Sequence, residues 1–149
     1  MPEATEVRAQ VREVTDEAGA HALWPLMREL RPHIATPDEL ARRWRLQQAH
    51  GYRLHGLWSG GEARALAGWR VTDNLVHGRF LYVDDLVTRE GERSRGHGAA
   101  LMDWLKEQGR ELGCAKLVLD TPLDNALGQR FYFRQGLLAR SLRFNVVLD

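Results

Sequence analysis

Two hydrophobic periods alternate along this chain. From Val7 to Val14 the apolar residues are loosely spaced, which fits an edge strand. Beyond them Leu23, Leu26, Met27 and Leu30 recur at helical spacing, and Asp16 is placed to cap a helix running to about Arg31. Pro25 is expected to kink that helix or to mark a restart, because it has no amide hydrogen for the ladder. Thr36-Pro37-Asp38-Glu39 then reads as a helix start: Thr36 the N-cap, Pro37 the first helical residue, Glu39 the reciprocal partner of a capping box. That second helix carries Leu40, Trp44 and Leu46 and ends near Gly51.

After Gly51 the period shortens to that of strands. Tyr52 to Trp58 and Ala63 to Val71 flank Ser59-Gly60-Gly61, the pattern of a hairpin with a glycine turn. A further strand is expected from Arg79 to Thr88. A polar, glycine-rich loop follows, then a helix from Gly98 to Leu112 with Leu101, Leu105 and Leu112 on one face and Gly113 as its stop. Ala115 to Leu119 is a short buried-strand candidate. Asn125 to Gln135 reads as a helix closed by Gly136, and Ser141 to Leu148 as a final strand. Helices and strands in this order define a mixed α/β (α+β) fold, an antiparallel run feeding a β-α-β unit.

The chain has 149 residues, enough for one domain with a core of its own, and the expectation is a single domain over 1–149. A formal net charge of +1 gives no field that would favour nucleic acid or an anionic membrane. The single Cys114 has no internal disulfide partner. The N-terminal MPEATEVRAQ lacks the apolar core of a signal peptide, and no apolar stretch approaches the roughly 20 residues of a membrane span. A cytoplasmic location is the expectation. The six histidines show no metal-ligand spacing, so no metal is expected.

The chemistry concentrates where the Leu81–Thr88 strand runs into Arg93-Ser94-Arg95-Gly96-His97-Gly98 and on into Ala99-Ala100-Leu101-Met102. A helix N-terminus offers unpaired amides and partial positive charge. Glycines there let backbone approach an anion, and Arg93 and Arg95 add full charges, so these are the parts of a diphosphate cradle. A solvated turn capped by glycine is the structural alternative. Neither G-x-x-x-x-G-K-[ST] nor the dinucleotide fingerprint is present, since the residue three past Gly98 is Leu101.

These residues resemble the GNAT acyltransferase superfamily. Its cofactor motif [QR]-x-x-G-x-[GA] is matched by Arg93, Gly96 and Gly98, and its later element N-x-x-[AG]-x-x-F-Y by Asn125, Gly128, Phe131 and Tyr132, with Gly136 four residues on. The element order agrees over nearly the whole chain. Gly128 stands where alanine is commoner, and Arg89-Glu90 replaces a frequent Asp-Pro. The resemblance implies a mostly antiparallel sheet of six or seven strands, splayed between the fourth and fifth, with about four helices. It further implies an N-acetyltransferase using acetyl-CoA. The pantetheine arm would bond to backbone of the Leu86-Val87-Thr88 segment, at Leu86 and Thr88, and to Asn125. The pyrophosphate would rest on amides from Arg95 through Gly96, His97 and Gly98 to Ala99, with Arg93 and Ser94 beside it.

Amine acylation needs a neutral nucleophile, yet an alkyl amine with a pKa near 10.4 is neutral in only about one molecule per thousand at pH 7. A base is therefore useful, and Asp84 and Asp85 stand together in an otherwise apolar strand, where aspartate is depleted. Strand alternation sends one carboxylate to each side of the sheet. At least one of Asp84 and Asp85 is expected to act in catalysis or in orienting the substrate, Asp84 favoured, with water as a relay for the proton in either case. The alternative is a β-bulge or strand edge with one carboxylate solvated and the other in a salt bridge. From the family match, Tyr132 would protonate the departing thiolate, as a phenol with a pKa near 10 can. Packing is the alternative role for Tyr132 and the expected one for Phe131. Trp24 and Trp44 are candidates to border the acceptor pocket.

The acceptor is a small-molecule amine or a protein amino group, and no diagnostic motif distinguishes them. A donor with a longer acyl chain, or a coenzyme A-binding regulatory module without turnover, are the competing readings. No residue pattern argues for the homodimer that the sequence would allow.

Overall fold

The computed structural model describes residues 9–89, 91 and 95–149. They form β1 (Gln10–Glu13), α1 (Glu17–Leu30), α2 (Pro37–Gln48), β2 (Arg53–Ser59), β3 (Glu62–Asn74), β4 (Gly78–Thr88), α3 (His97–Glu111), β5 (Lys116–Leu119) and α4 (Ala126–Arg134). The strands lie in the order β1-β2-β3-β4-β5, and the first three ladders are antiparallel. Backbone contacts divide the chain into two units, Met1–Val118 and Leu119–Asp149.

Local chemistry explains most element boundaries in the first unit. Asp16 caps α1 by accepting from the Gly19 amide at 2.8 Å, and the helix continues through Pro25 without a restart. Thr36 accepts from the Glu39 amide at 3.1 Å, while the Glu39 carboxylate reaches back one residue further than a capping box requires, to the Ala35 amide at 3.0 Å. Gly60 and Gly61 both hold positive φ, at 62° and 79°, as the tight β2–β3 turn demands.

Alternating residues of β2 and β3 feed two cores. Leu54 and Leu66 pack with Leu23, Leu26 and Met27 of α1 and Leu40 and Trp44 of α2. On the other face, His55 and Trp69 meet the Trp104 ring of α3, and Leu101, Met102 and Leu105 of that helix are fully buried. His55, 4% exposed, accepts a hydrogen bond at Nδ1 from Trp69 Nε1 at 3.1 Å, and burial lowers its pKa to about 4.

In the second unit α4 is capped by Asn125, whose Oδ1 accepts from the Gly128 amide at 3.1 Å. Glycine at 128 is what admits this cap: a Cβ there would lie 2.2 Å from Asn125 Nδ2. Two expectations fail. The segment from Ser141 to Leu148 forms no strand, so the described residues contain five strands rather than six or seven. Leu142, Phe144, Val146 and Leu148 alternate as strand residues do, but all are exposed, and alternation without a hydrogen-bonded neighbour does not make a strand. β5, expected to be buried, is half-buried to exposed along its length.

Candidate active site

Register places the two aspartates. Gly68 of β3 is opposite Asp85, and Trp69 is opposite Val83, so Asp84 is an extra residue in β4, a β-bulge. The bulge cancels the alternation. Val83, opposite Trp69, lies on the α3 face, while both carboxylates are held on the α1–α2 face. Asp85 Oδ1 accepts from Arg31 Nε at 3.0 Å and its Oδ2 from the Tyr52 hydroxyl at 2.7 Å. Asp84 Oδ2 accepts from Arg70 Nε at 2.9 Å, and Arg70 Nη2 continues to Gln47 of α2 at 3.1 Å. The expectation of one carboxylate on each side of the sheet is thus corrected, and both are salt-bridged rather than one solvated.

The two acids differ in what they can do. Asp85 is 13% exposed and has a donor on each oxygen, so it is an anchored anion. Asp84 is 25% exposed and has one bonded oxygen, with no hydrogen bond to Oδ1 among the described residues. Burial raises its pKa above the usual carboxylate value, outweighing the opposing pull of Arg70. A base improves as its pKa rises toward neutrality, so Asp84 is the better equipped of the two to take a proton.

Gly68 makes this arrangement possible. A Cβ at 68 would stand 1.8 Å from the Tyr52 hydroxyl oxygen and 2.7 Å from Asp85 Oδ2, so only glycine leaves the slot in which they meet. Tyr52 is deeply buried, and burial first, then the Asp85 charge, pushes its pKa well above 10, which keeps it a hydrogen-bond donor. Beside the pair a cleft of about 110 Å³ is lined by Met27, Trp44, Tyr52 and Asp85 below and by Arg31 and Arg43 at its rim. Trp44 lines this cleft, while Trp24 bonds the Ile34 carbonyl through Nε1 at 3.0 Å, tying down the α1–α2 connection.

At the end of β4 the Arg89 amide bonds to the Arg64 carbonyl of β3 at 2.8 Å. Backbone groups alternate in an antiparallel strand, so those of Val87 also face β3, and those of Leu86 and Thr88 face the opposite edge. Val87 further packs its side chain on the α1–α2 core. Of the three residues Leu86, Val87 and Thr88, the first and third therefore turn their backbone groups to the edge of β4 away from β3.

Arg93 and Ser94 lie outside the described residues. Arg95 precedes Gly96, which caps α3 in a left-handed conformation at φ 80° with no side-chain cap. The first bond of the helix runs from the Ala100 amide to the Gly96 carbonyl at 2.9 Å, so the amides of His97, Gly98 and Ala99 precede the ladder and suit an anion. His97 Nδ1 is buried without a hydrogen-bond partner among the described residues.

In the second unit, Asn125 spends Oδ1 on the α4 cap and donates from Nδ2 to Thr121 Oγ1 at 2.9 Å, leaving one amide hydrogen for another partner. Tyr132 follows by seven residues, about 10.5 Å along the helix axis and on the same face. Its ring meets Phe131 edge-on at 5.5 Å, and burial raises its pKa above 10, so it is a protonated donor at neutral pH. No cluster of potential metal ligands occurs among the described residues, and no helix there is long and apolar enough to cross a membrane.

Tyr52, Arg31, Arg70, Arg43 and Gly68 were not singled out in the sequence. One signal was available: an isolated glycine inside a strand pattern marks a bulge or a close approach, and Gly68 stands opposite the β4 bulge and admits the close approach of Tyr52.

The GNAT acetyltransferase family model matches residues 18–137, and the chain belongs to that family. It is 31% identical over 109 residues to a Bacillus subtilis (strain 168) protein named "Uncharacterized N-acetyltransferase YhdJ", covering 73% of this chain and 77% of that one. The fold matches ribosomal-protein-alanine N-acetyltransferase from Brucella melitensis biovar Abortus 2308 with a TM-score of 0.80 at 20% identity, over 95% of this chain and 100% of that one. It also matches aminoglycoside N-acetyltransferase AAC(6')-Iy, solved in complex with CoA, with a TM-score of 0.80 at 18% identity, over 100% and 98% of the two chains. A third match is glucosamine-6-phosphate N-acetyltransferase from Arabidopsis thaliana, with a TM-score of 0.75 at 18% identity, over 95% and 99%.

Proposed function

We propose that this protein transfers an acetyl group from acetyl-CoA to a primary amine by direct attack in a ternary complex, with residues 1–149 working as one cytoplasmic domain. The observation that carries the reading is the family match over residues 18–137, which takes in β4, the N-terminus of α3 and α4.

Acetyl-CoA is a substrate here. Its pyrophosphate suits the amides from Arg95 to Ala99, with Arg93 and Ser94 alongside, and its pantetheine arm suits the outward backbone of Leu86 and Thr88 and the remaining Asn125 amide hydrogen. The amine nitrogen attacks the thioester carbonyl carbon; the C–N bond forms and the C–S bond breaks. Asp84 takes the proton the amine loses, directly or through water, while Asp85 fixes Arg31 and Tyr52 around the acceptor cleft. Tyr132 gives its proton to the departing thiolate.

The test is thiol release from acetyl-CoA across a panel of primary amines, run beside thermal melts with and without coenzyme A. Acetyl-dependent turnover and a rise in Tm are expected, because a ligand that binds only the native state stabilises it by mass action. Gly98→Val should remove that rise by blocking the helix N-terminus. A Tm rise without turnover on any amine would favour a binding module. Turnover only with longer acyl donors would reassign the donor.

A further inference from the structure

The rim of the acceptor cleft carries two arginines, Arg31 and Arg43, that take no part in the proton transfers of the reaction. Asp85 lines the cleft with them, and these residues and the neighbouring acids are already matched: Asp85 with Arg31 at 3.0 Å, Asp84 with Arg70 at 2.9 Å, and Glu39 with Arg43 at 3.0 Å. No carboxylate of this cluster is left to neutralise a second positive charge on the acceptor.

The arginines are not equally spent. A guanidinium has five N–H donors, and a carboxylate or phosphate takes them in pairs. Arg31 commits Nε to Asp85 and Nη2 to the Asp84 carbonyl, and Arg43 commits Nε and Nη2 to the single oxygen Glu39 Oε1. Their Nη1 groups make no hydrogen bond among the described residues. Both side chains line the cleft and remain 42% and 43% exposed. The floor between them and Asp85 is Trp44, Tyr52 and Met27, which offer an acceptor's carbon skeleton an apolar seat.

Size narrows the ligand further. A cleft of about 110 Å³ is far below the roughly 300 Å³ at which drug-sized pockets begin, so it suits a small molecule or the end of one.

Resting on the acetyl-transfer reading, we propose that the acceptor is a small primary amine bearing an anionic group, a carboxylate or a phosphate, held at the rim by Arg31 and Arg43. The amine end then lies toward Asp84, and the anionic end takes the uncommitted Nη1 groups. The chemistry stays balanced: the nitrogen gains the acetyl carbon and loses one proton, the sulfur gains one proton, and the anionic group passes through unchanged. A polyamine fits poorly, because its second ammonium meets two guanidiniums and no unmatched acid.

The experiment compares β-alanine, O-phosphoethanolamine, ethanolamine and spermidine as acceptors, with acetyl-CoA saturating. At least one of the two anionic amines should exceed both ethanolamine and spermidine about 10-fold or more in kcat/KM, and which one wins separates carboxylate from phosphate. Added salt should narrow the gap, since the rim is solvent-accessible. Arg43→Gln should raise KM for the preferred anionic amine about 10-fold with a much smaller change in kcat, and should shrink its advantage over ethanolamine. Equal kcat/KM for the anionic amines and ethanolamine, or a preference for spermidine, would overturn the proposal and leave acetyl transfer standing. Should no amine turn over, calorimetric titration of the coenzyme A-bound protein with the two anionic amines decides the cleft separately. Binding weakened by Arg43→Gln supports the assignment, and no binding of either refutes it.

Discussion

The Tyr52 hydroxyl donates to Asp85 Oδ2 at 2.7 Å across the slot that Gly68 leaves open in β3. This one bond joins the end of the α2 connection to the bulged strand and fixes the carboxylate beside the cleft. Removing it exposes the cost of an unsatisfied buried acceptor. Tyr52→Phe should destabilise the protein by about 1–3 kcal/mol in urea melts. Gly68→Ala should cost at least as much, because its Cβ would displace the phenol outright. In a Tyr52→Leu background the Gly68→Ala penalty should fall, since the two changes act on the same space. Additive costs would show that Gly68 has another role.

Asp84 should behave as a base whose carboxyl titrates above the usual aspartate range. For wild type, kcat/KM for the amine should drop as pH falls through that raised pKa, because the protonated carboxyl cannot accept. Asp84→Asn should lower kcat/KM about 100-fold near neutral pH with acetyl-CoA binding nearly unchanged. The deficit should narrow at high pH, where more of the amine is already neutral. A pH–rate profile identical to wild type would assign the proton to water.

His55 predicts a pH dependence of stability that is independent of catalysis. Burial lowers its folded-state pKa to about 4 against an ordinary 6.5, so between those values the unfolded chain binds the proton and the native state does not. Its contribution is present in full above about pH 6.5 and is lost as pH falls toward 4, to a limit of about 3 kcal/mol. Denaturant midpoints measured across this window should fall for wild type and fall less for His55→Gln. Parallel curves would mean that other groups set the acid limit.

Tyr132→Phe separates catalysis from packing. The ring keeps its edge-on contact with Phe131 and only the hydroxyl is lost. A fall in kcat of about 10- to 1000-fold, with KM for acetyl-CoA little changed, is expected of a lost general acid. The fall should be smaller with a donor whose leaving thiol is more acidic. Wild-type turnover would leave Tyr132 a packing residue.

Asp16, Thr36, Gly60-Gly61 and Gly96 act within four residues of themselves, through caps, tight turns and one left-handed backbone, so the helix starts and the anion-suited N-terminus of α3 were readable from the chain. The Asp84-Asp85 pair was visible as an anomaly in an apolar strand, but its direction was not. Which face a strand residue takes depends on its register against the neighbour, and the extra residue opposite Gly68–Trp69 exists only once β3 and β4 pair. Likewise Arg31 bonds Asp85 from 54 residues away, and Tyr52 from 33, distances over which no local pattern constrains the partner. The stretch from Ser141 to Leu148 makes the same point in reverse. Its alternation is a strand's, yet a strand needs backbone partners that only tertiary pairing can provide. The chain's short-range hydrogen bonds set where its helices begin; the charge arrangement that could choose a substrate was decided by which strands and helices came to lie side by side.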